Sequence, residues 1–113
     1  MTKALFVDPE TLQKLIDLPG RPLLIDFMAQ WCGPCQGMAP YLEDFATSSA
    51  QSLSVAKLDI DAFPEVATRF MVRSVPTLML LLDGQVLGVH VGAMNKTQLG
   101  SFVATGMQSL RDR

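Results

Sequence analysis

Apolar positions along the chain alternate between two spacings, short continuous runs and stretches that repeat every three or four residues. "ALFV" at 4–7 is a short first strand. Asp8 then stands as a helix N-cap with Pro9 at the first helical position, and Leu12, Leu15 and Ile16 share one helical face until the turn residues of "LPGRP". "PLLIDFMA" at 22–29 is almost wholly apolar, as a central strand buried on both faces requires. A second helix is predicted from about Pro34 through "QGMAPYLEDFATS". Gly37 costs it about 1 kcal/mol relative to alanine, and Pro40 is expected to kink or weaken it. "LSVAKLDID" alternates as a third long strand, "FPEVATRFM" opens a short helix at Pro64, and "PTLMLLL" and "QVLGVHV" form a hairpin across Asp83-Gly84. Asn95 caps a last helix, with Gln98 as its capping-box partner. The order β-α-β-α-β-α-β-β-α predicts one α/β domain over residues 1–113. Its central mixed sheet has five strands, with an antiparallel hairpin at one edge and four helices flanking both faces.

Composition narrows the functional classes. The chain has 113 residues, the size of one domain, and 49% of them are hydrophobic, enough for a real core. A net charge of -2 without any basic stripe argues against a nucleic-acid partner. No apolar run reaches the roughly 18 residues that cross a bilayer. "MTKALFVDPETL" lacks the features of a signal peptide, so a cytoplasmic, reducing setting is expected. In that setting cysteine pairs tend to be catalytic or redox-sensing.

Both cysteines of the chain stand in "WCGPC", as Cys32 and Cys35. Zinc would need four ligands, and His90 is the single histidine, so a metal site is left only if two chains share it. A structural staple over so short a loop gains little loop entropy. Thiol–disulfide exchange has a positive physical argument. Cys32 falls where a strand gives way to a helix, and the unpaired N–H groups and dipole of that helix end favour a thiolate. Cys32 is thus the exposed, low-pKa attacker and Cys35, one turn on, the buried resolving thiol. Gly33 permits the turn and Pro34 restricts it. Asp26 interrupts "LLI-FMA", so its carboxyl is desolvated and its pKa raised, unless it sits at a wet sheet end.

With "WCGPC" between "IDFMAQ" and "QGMAP", and with "VAKLDID" and "SVPTLMLLLDGQVLGVHVGAMNKTQL" further on, the chain resembles the thioredoxin family almost end to end. The resemblance implies the thioredoxin fold and a protein-disulfide reductase. Cys32 would attack a substrate disulfide, and Cys35 would resolve the mixed disulfide. Asp26 would move the Cys35 proton, with Lys57 as its basic neighbour, although Lys57 also reads as a solvated strand residue. Pro76 would be the cis-proline facing the site. Trp31, Gly33, Pro34, Val75, Gly92 and Ala93 would line the groove that receives extended substrate. The resemblance also implies no bound cofactor. Electrons would come from NADPH through a thioredoxin reductase partner, and the monomer would pass them to disulfide-containing client proteins. A second reading is a thioredoxin-like chaperone or assembly module that binds clients near Pro76.

Three positions depart from the family pattern. Met28 stands where a tryptophan is usual and should shield the site less completely. Gln36 stands where Lys or Arg is common, and Gly37 replaces a larger residue, so the site is less cationic and softer. His90, between Val89 and Val91, reads as solvent-facing on the edge strand. Asp59, Asp61 and Glu65 read as a solvated surface cluster. Among the seven methionines, mostly core filler, Met28, Met38, Met71 and Met94 are candidates for the redox face.

Overall fold

The computed structural model describes residues 4–111. Nine elements follow in the expected order: β1 (Leu5–Phe6), α1 (Pro9–Ile16), β2 (Leu23–Met28), α2 (Gly33–Ser48), β3 (Ser54–Asp59), α3 (Pro64–Arg69), β4 (Thr77–Leu82), β5 (Gln85–Val91) and α4 (Lys96–Arg111). The strands lie side by side as β1-β3-β2-β4-β5. β1, β3 and β2 run parallel. β4 runs antiparallel to β2, as β5 does to β4, so the antiparallel part of the sheet extends one strand further in than the hairpin.

Local chemistry sets the element ends. The Asp8 carboxylate accepts the Thr11 N–H at 2.7 Å, which holds its pKa below the ordinary aspartate value. At α4 the capping box is reciprocal: Asn95 N–H donates to Gln98 Oε1 at 2.9 Å, and Gln98 N–H to Asn95 Oδ1 at 2.8 Å. Asp83 and Gly84 both have positive φ, 50° and 79°, as a tight primed hairpin turn demands. Asp83 Oδ1 also accepts the Gly20 N–H at 2.8 Å, which ties that turn to the α1–β2 connection. Helix α2 runs unbroken through Pro40.

Every residue of β2 is buried, because helices cover both of its faces. Leu24, Leu78 and Leu80 pack against Met38, Leu42 and Phe45 of α2 and Leu99 and Val103 of α4. Ile25, Phe27, Leu58 and Met79 pack against Leu12 and Ile16 of α1 and Val66 of α3. Strand alternation puts Asp26 on the same face as Leu24, beneath α2 and α4. His90 corrects the sequence reading. It is half-buried, its ring edge-on to Phe102 of α4 with centroids 6.1 Å apart, while Val89 and Val91 are exposed. The cause is the cover: α4 spans β5 on the His90 face, whereas α1 and α3 pack over the inner strands of the opposite face.

Two helix glycines give opposite expectations. A methyl group at Gly37 meets nothing within 4 Å, so Gly37→Ala should stabilise the protein by about 0.5–1 kcal/mol. At Gly106 the same methyl stands 2.6 Å from Leu80 Cδ2, inside the core. There the overpacking exceeds the helix-propensity gain, and Gly106→Ala should cost a net ~1 kcal/mol. Urea midpoints should move in opposite directions; a common rise would contradict the Gly106 assignment, and a common fall the Gly37 one.

Candidate active site

Cys32 is the N-cap residue of α2, and its Sγ accepts the Cys35 N–H at 3.1 Å. The two cysteines form a disulfide with their Cα atoms 5.2 Å apart. The helix end thus offers Sγ of Cys32 a backbone donor and the positive end of a sixteen-residue dipole. Both groups favour a thiolate when the bond opens.

In this closed state Cys32 is not the exposed sulfur that the sequence suggests. Both cysteines are 3% exposed. Met28 and Ala29 are buried with them, and Ile60 and Val75 pack against the cluster. Met28 therefore closes the site despite replacing a larger aromatic. Ile60 was not foreseen: it follows the third strand, and nothing local in "KLDIDAF" says that it packs against the cluster that holds the cysteines.

Trp31 points outward, 70% exposed, and its Nε1–H donates to Asp61 Oδ2 at 2.7 Å. Asp59 Oδ1 in turn accepts the N–H of Asp61 at 2.9 Å and that of Ala62 at 3.4 Å. Two acids read as a solvated cluster thus form a scaffold for Trp31. An Asp-x-Asp after a strand signals such a turn, but the partner thirty residues away is invisible locally. Gln36, where a cation is common in the family, donates from Nε2 to Gln30 O at 3.2 Å and so ties α2 to the loop before it.

The opposite side of the site comes from the β4 approach and the segment after β5. The Val75–Pro76 peptide bond is cis. Gly92, at φ 115°, donates its N–H to Pro76 O at 2.9 Å. That φ lies where side chains are strained, which accounts for glycine here. Val75 and Gly92 are half-buried, and Gly33, Pro34 and Ala93 are exposed around them. Thr77 Oγ1–H fixes the loop by donating to Ser74 O at 2.6 Å.

Beneath this rim lies Asp26, 2% exposed, and its Oδ1 has no hydrogen-bond partner. Burial pushes its pKa up to about 7, against a smaller opposing pull from the Lys57 charge. Lys57 is the register partner of Asp26 on β3, and its ammonium lies 4.5 Å from the ring centroid of Phe6. The wet-edge alternative for Asp26 is thereby excluded. No group of three or more His, Cys, Asp or Glu among the described residues is arranged to hold a metal ion. No helix among them is long and apolar enough to cross a membrane.

The family model described as Thioredoxin matches residues 3–105. The chain belongs to the thioredoxin family. Thioredoxin of Mycobacterium tuberculosis is 53% identical over 79 residues, which cover 70% of this chain and 68% of that one. A bifunctional thioredoxin reductase/thioredoxin of Mycobacterium leprae is 48% identical over 79 residues, 70% of this chain and 17% of that one. The X-ray structure of Fasciola hepatica thioredoxin superposes with a TM-score of 0.80 at 34% identity, over 89% of this chain and 96% of that one. A thioredoxin fold with a closed Cys32–Cys35 pair at a helix start makes this thioredoxin-family chain a protein-disulfide reductase acting by thiol–disulfide exchange.

Proposed function

We propose that this chain is a single-domain, monomeric dithiol carrier of the cytoplasm. It takes electrons from NADPH through a thioredoxin reductase and hands them to disulfide-bonded client proteins. The observation that carries the reading is the Cys32–Cys35 disulfide at the N-cap of α2. The electrons are held as the dithiol itself, so no bound cofactor is needed. The Mycobacterium leprae relative, whose name joins the two activities, supports a reductase as the electron donor.

The reduced pair works in two steps. Cys32 Sγ attacks one sulfur of the client disulfide, and the other client sulfur leaves as a thiolate. Cys35, stripped of its proton, then attacks Cys32 Sγ, releases the client's second thiolate and closes the Cys32–Cys35 bond. Asp26 is the acceptor for the Cys35 proton, because a carboxyl with a pKa of about 7 takes and returns protons at neutral pH. Lys57 moderates that basicity from the neighbouring strand. Trp31, Gly33, Pro34, Val75, cis-Pro76, Gly92 and Ala93 form the groove for extended client chain.

With NADPH and a thioredoxin reductase supplied, the chain should reduce insulin catalytically, with NADPH consumed in step with the free thiols formed. Absence of turnover with retained client binding would instead favour a chaperone-like binding module.

A further inference from the structure

Of the methionines that the sequence offers for the redox face, Met28, Met38 and Met94 are buried, and Met79 is buried as well. Met71 is 83% exposed. It stands just past α3, where Val72 N–H donates to Ala67 O at 2.8 Å and Met71 N–H to Thr68 O at 3.1 Å. This paired closure puts its middle residue in the left-handed region, and Met71 has φ 57°. Glycine or asparagine is the conformational choice there, so an unbranched thioether is held against the backbone preference.

Met71 borders a cavity of about 280 Å³, whose wall is apolar at Phe70, Val72, Met79, Val89 and Val91 and charged at Arg73. Ser74 and Thr77 also line it and flank Val75–Pro76 in sequence, so the cavity continues the client groove along the uncovered face of β5. That continuity commits the cavity to an apolar side chain of the bound client segment.

We propose that Met71 is an oxidation-sensitive rim of the client groove, which hydroperoxides convert to the sulfoxide and so weaken client docking; the inference rests on the reductase reading above. The thioether sulfur attacks one peroxide oxygen, the O–O bond breaks, an S–O bond forms, and the other oxygen leaves with the proton as water from hydrogen peroxide or as the alcohol from an organic hydroperoxide. Sulfur loses two electrons and the peroxide gains them. The product is a polar, chiral sulfoxide where an apolar chain had lined the cavity. The closed disulfide keeps both active-site sulfurs out of this reaction, whereas the exposed Met71 sulfur needs no opening of the fold.

The test uses the whole chain in its disulfide form, treated with hydrogen peroxide and then with catalase. Peptide mass spectrometry should find sulfoxide at Met71 well before Met28, Met38, Met79 or Met94. The KM for insulin should rise about fivefold, as the loss of part of one apolar contact implies. The rate with a small aromatic disulfide, which does not reach the cavity, should be unchanged. In Met71→Leu the ratio of treated to untreated KM should be one. An unchanged insulin KM after complete Met71 oxidation, or an equal rise in Met71→Leu, overturns the inference. Failure of the untreated protein to reduce insulin overturns the reductase reading beneath it.

Discussion

Cys35→Ser is expected to turn a catalyst into a trap. The variant should form one disulfide with each client and then stop, with insulin turnover falling to the uncatalysed background. The geometry explains why only the second step fails. What prepares Cys32 is the backbone N–H of residue 35, 3.1 Å from its Sγ, together with the start of α2; serine keeps both. The first attack therefore survives. The group lost is the thiol that reaches Cys32 Sγ across a Cα separation of 5.2 Å, and no second cysteine replaces it. Non-reducing electrophoresis of a client mixture should show a ladder of adducts that dithiothreitol releases. The same experiment with Cys32→Ser should show none, because Cys35 lies inside the first turn of α2 and lacks the N-cap position. Sustained insulin turnover by Cys35→Ser would mean that an external thiol, not Cys35, resolves the intermediate.

Much of this site was legible in the sequence because its signals are local. Cys-x-x-Cys with proline at the helix start states both the spacing and the helix that surrounds it. Asp26 was legible because one carboxyl in an apolar strand has few places to go. The legible parts of the fold are those fixed by period and caps, from the Asp8 and Asn95 caps to the Asp83-Gly84 turn. What escaped depends on distance along the chain. Ile60 meets the cluster that holds the cysteines, and Asp61 meets Trp31, only because β3 lies beside β2. His90 was misjudged because alternation says which residues share a face but not which face a helix covers. Cys32 was expected to be exposed because the helix-start argument concerns the thiolate, while its burial in the disulfide comes from four residues on three segments of the chain.

Asp26→Asn should make the protein more stable and less active, and the two effects have one cause. The unfolded chain releases the Asp26 proton near 3.8, whereas the folded chain holds it until about 7. Between those values the folded state binds the extra proton, so stability is full below about pH 4 and falls as pH rises towards 7. Above 7 the folded protein carries a buried carboxylate with an unpartnered Oδ1, at a cost on the order of 4 kcal/mol before relaxation. Asparagine has the shape of the protonated acid and never pays that cost. At pH 4 the two proteins should therefore unfold at similar urea concentrations, and at pH 8 the variant should lead by about 2–4 kcal/mol. Its release of client from the mixed disulfide should slow by about tenfold or more and lose the inflection near pH 7, since the internal proton acceptor is gone. Coincident urea midpoints at pH 8 would falsify the buried-charge account, and an unchanged pH profile would remove Asp26 from the proton path. A residue whose removal stabilises the fold while slowing the reaction is present for the chemistry, since packing and stability alone would favour the neutral side chain.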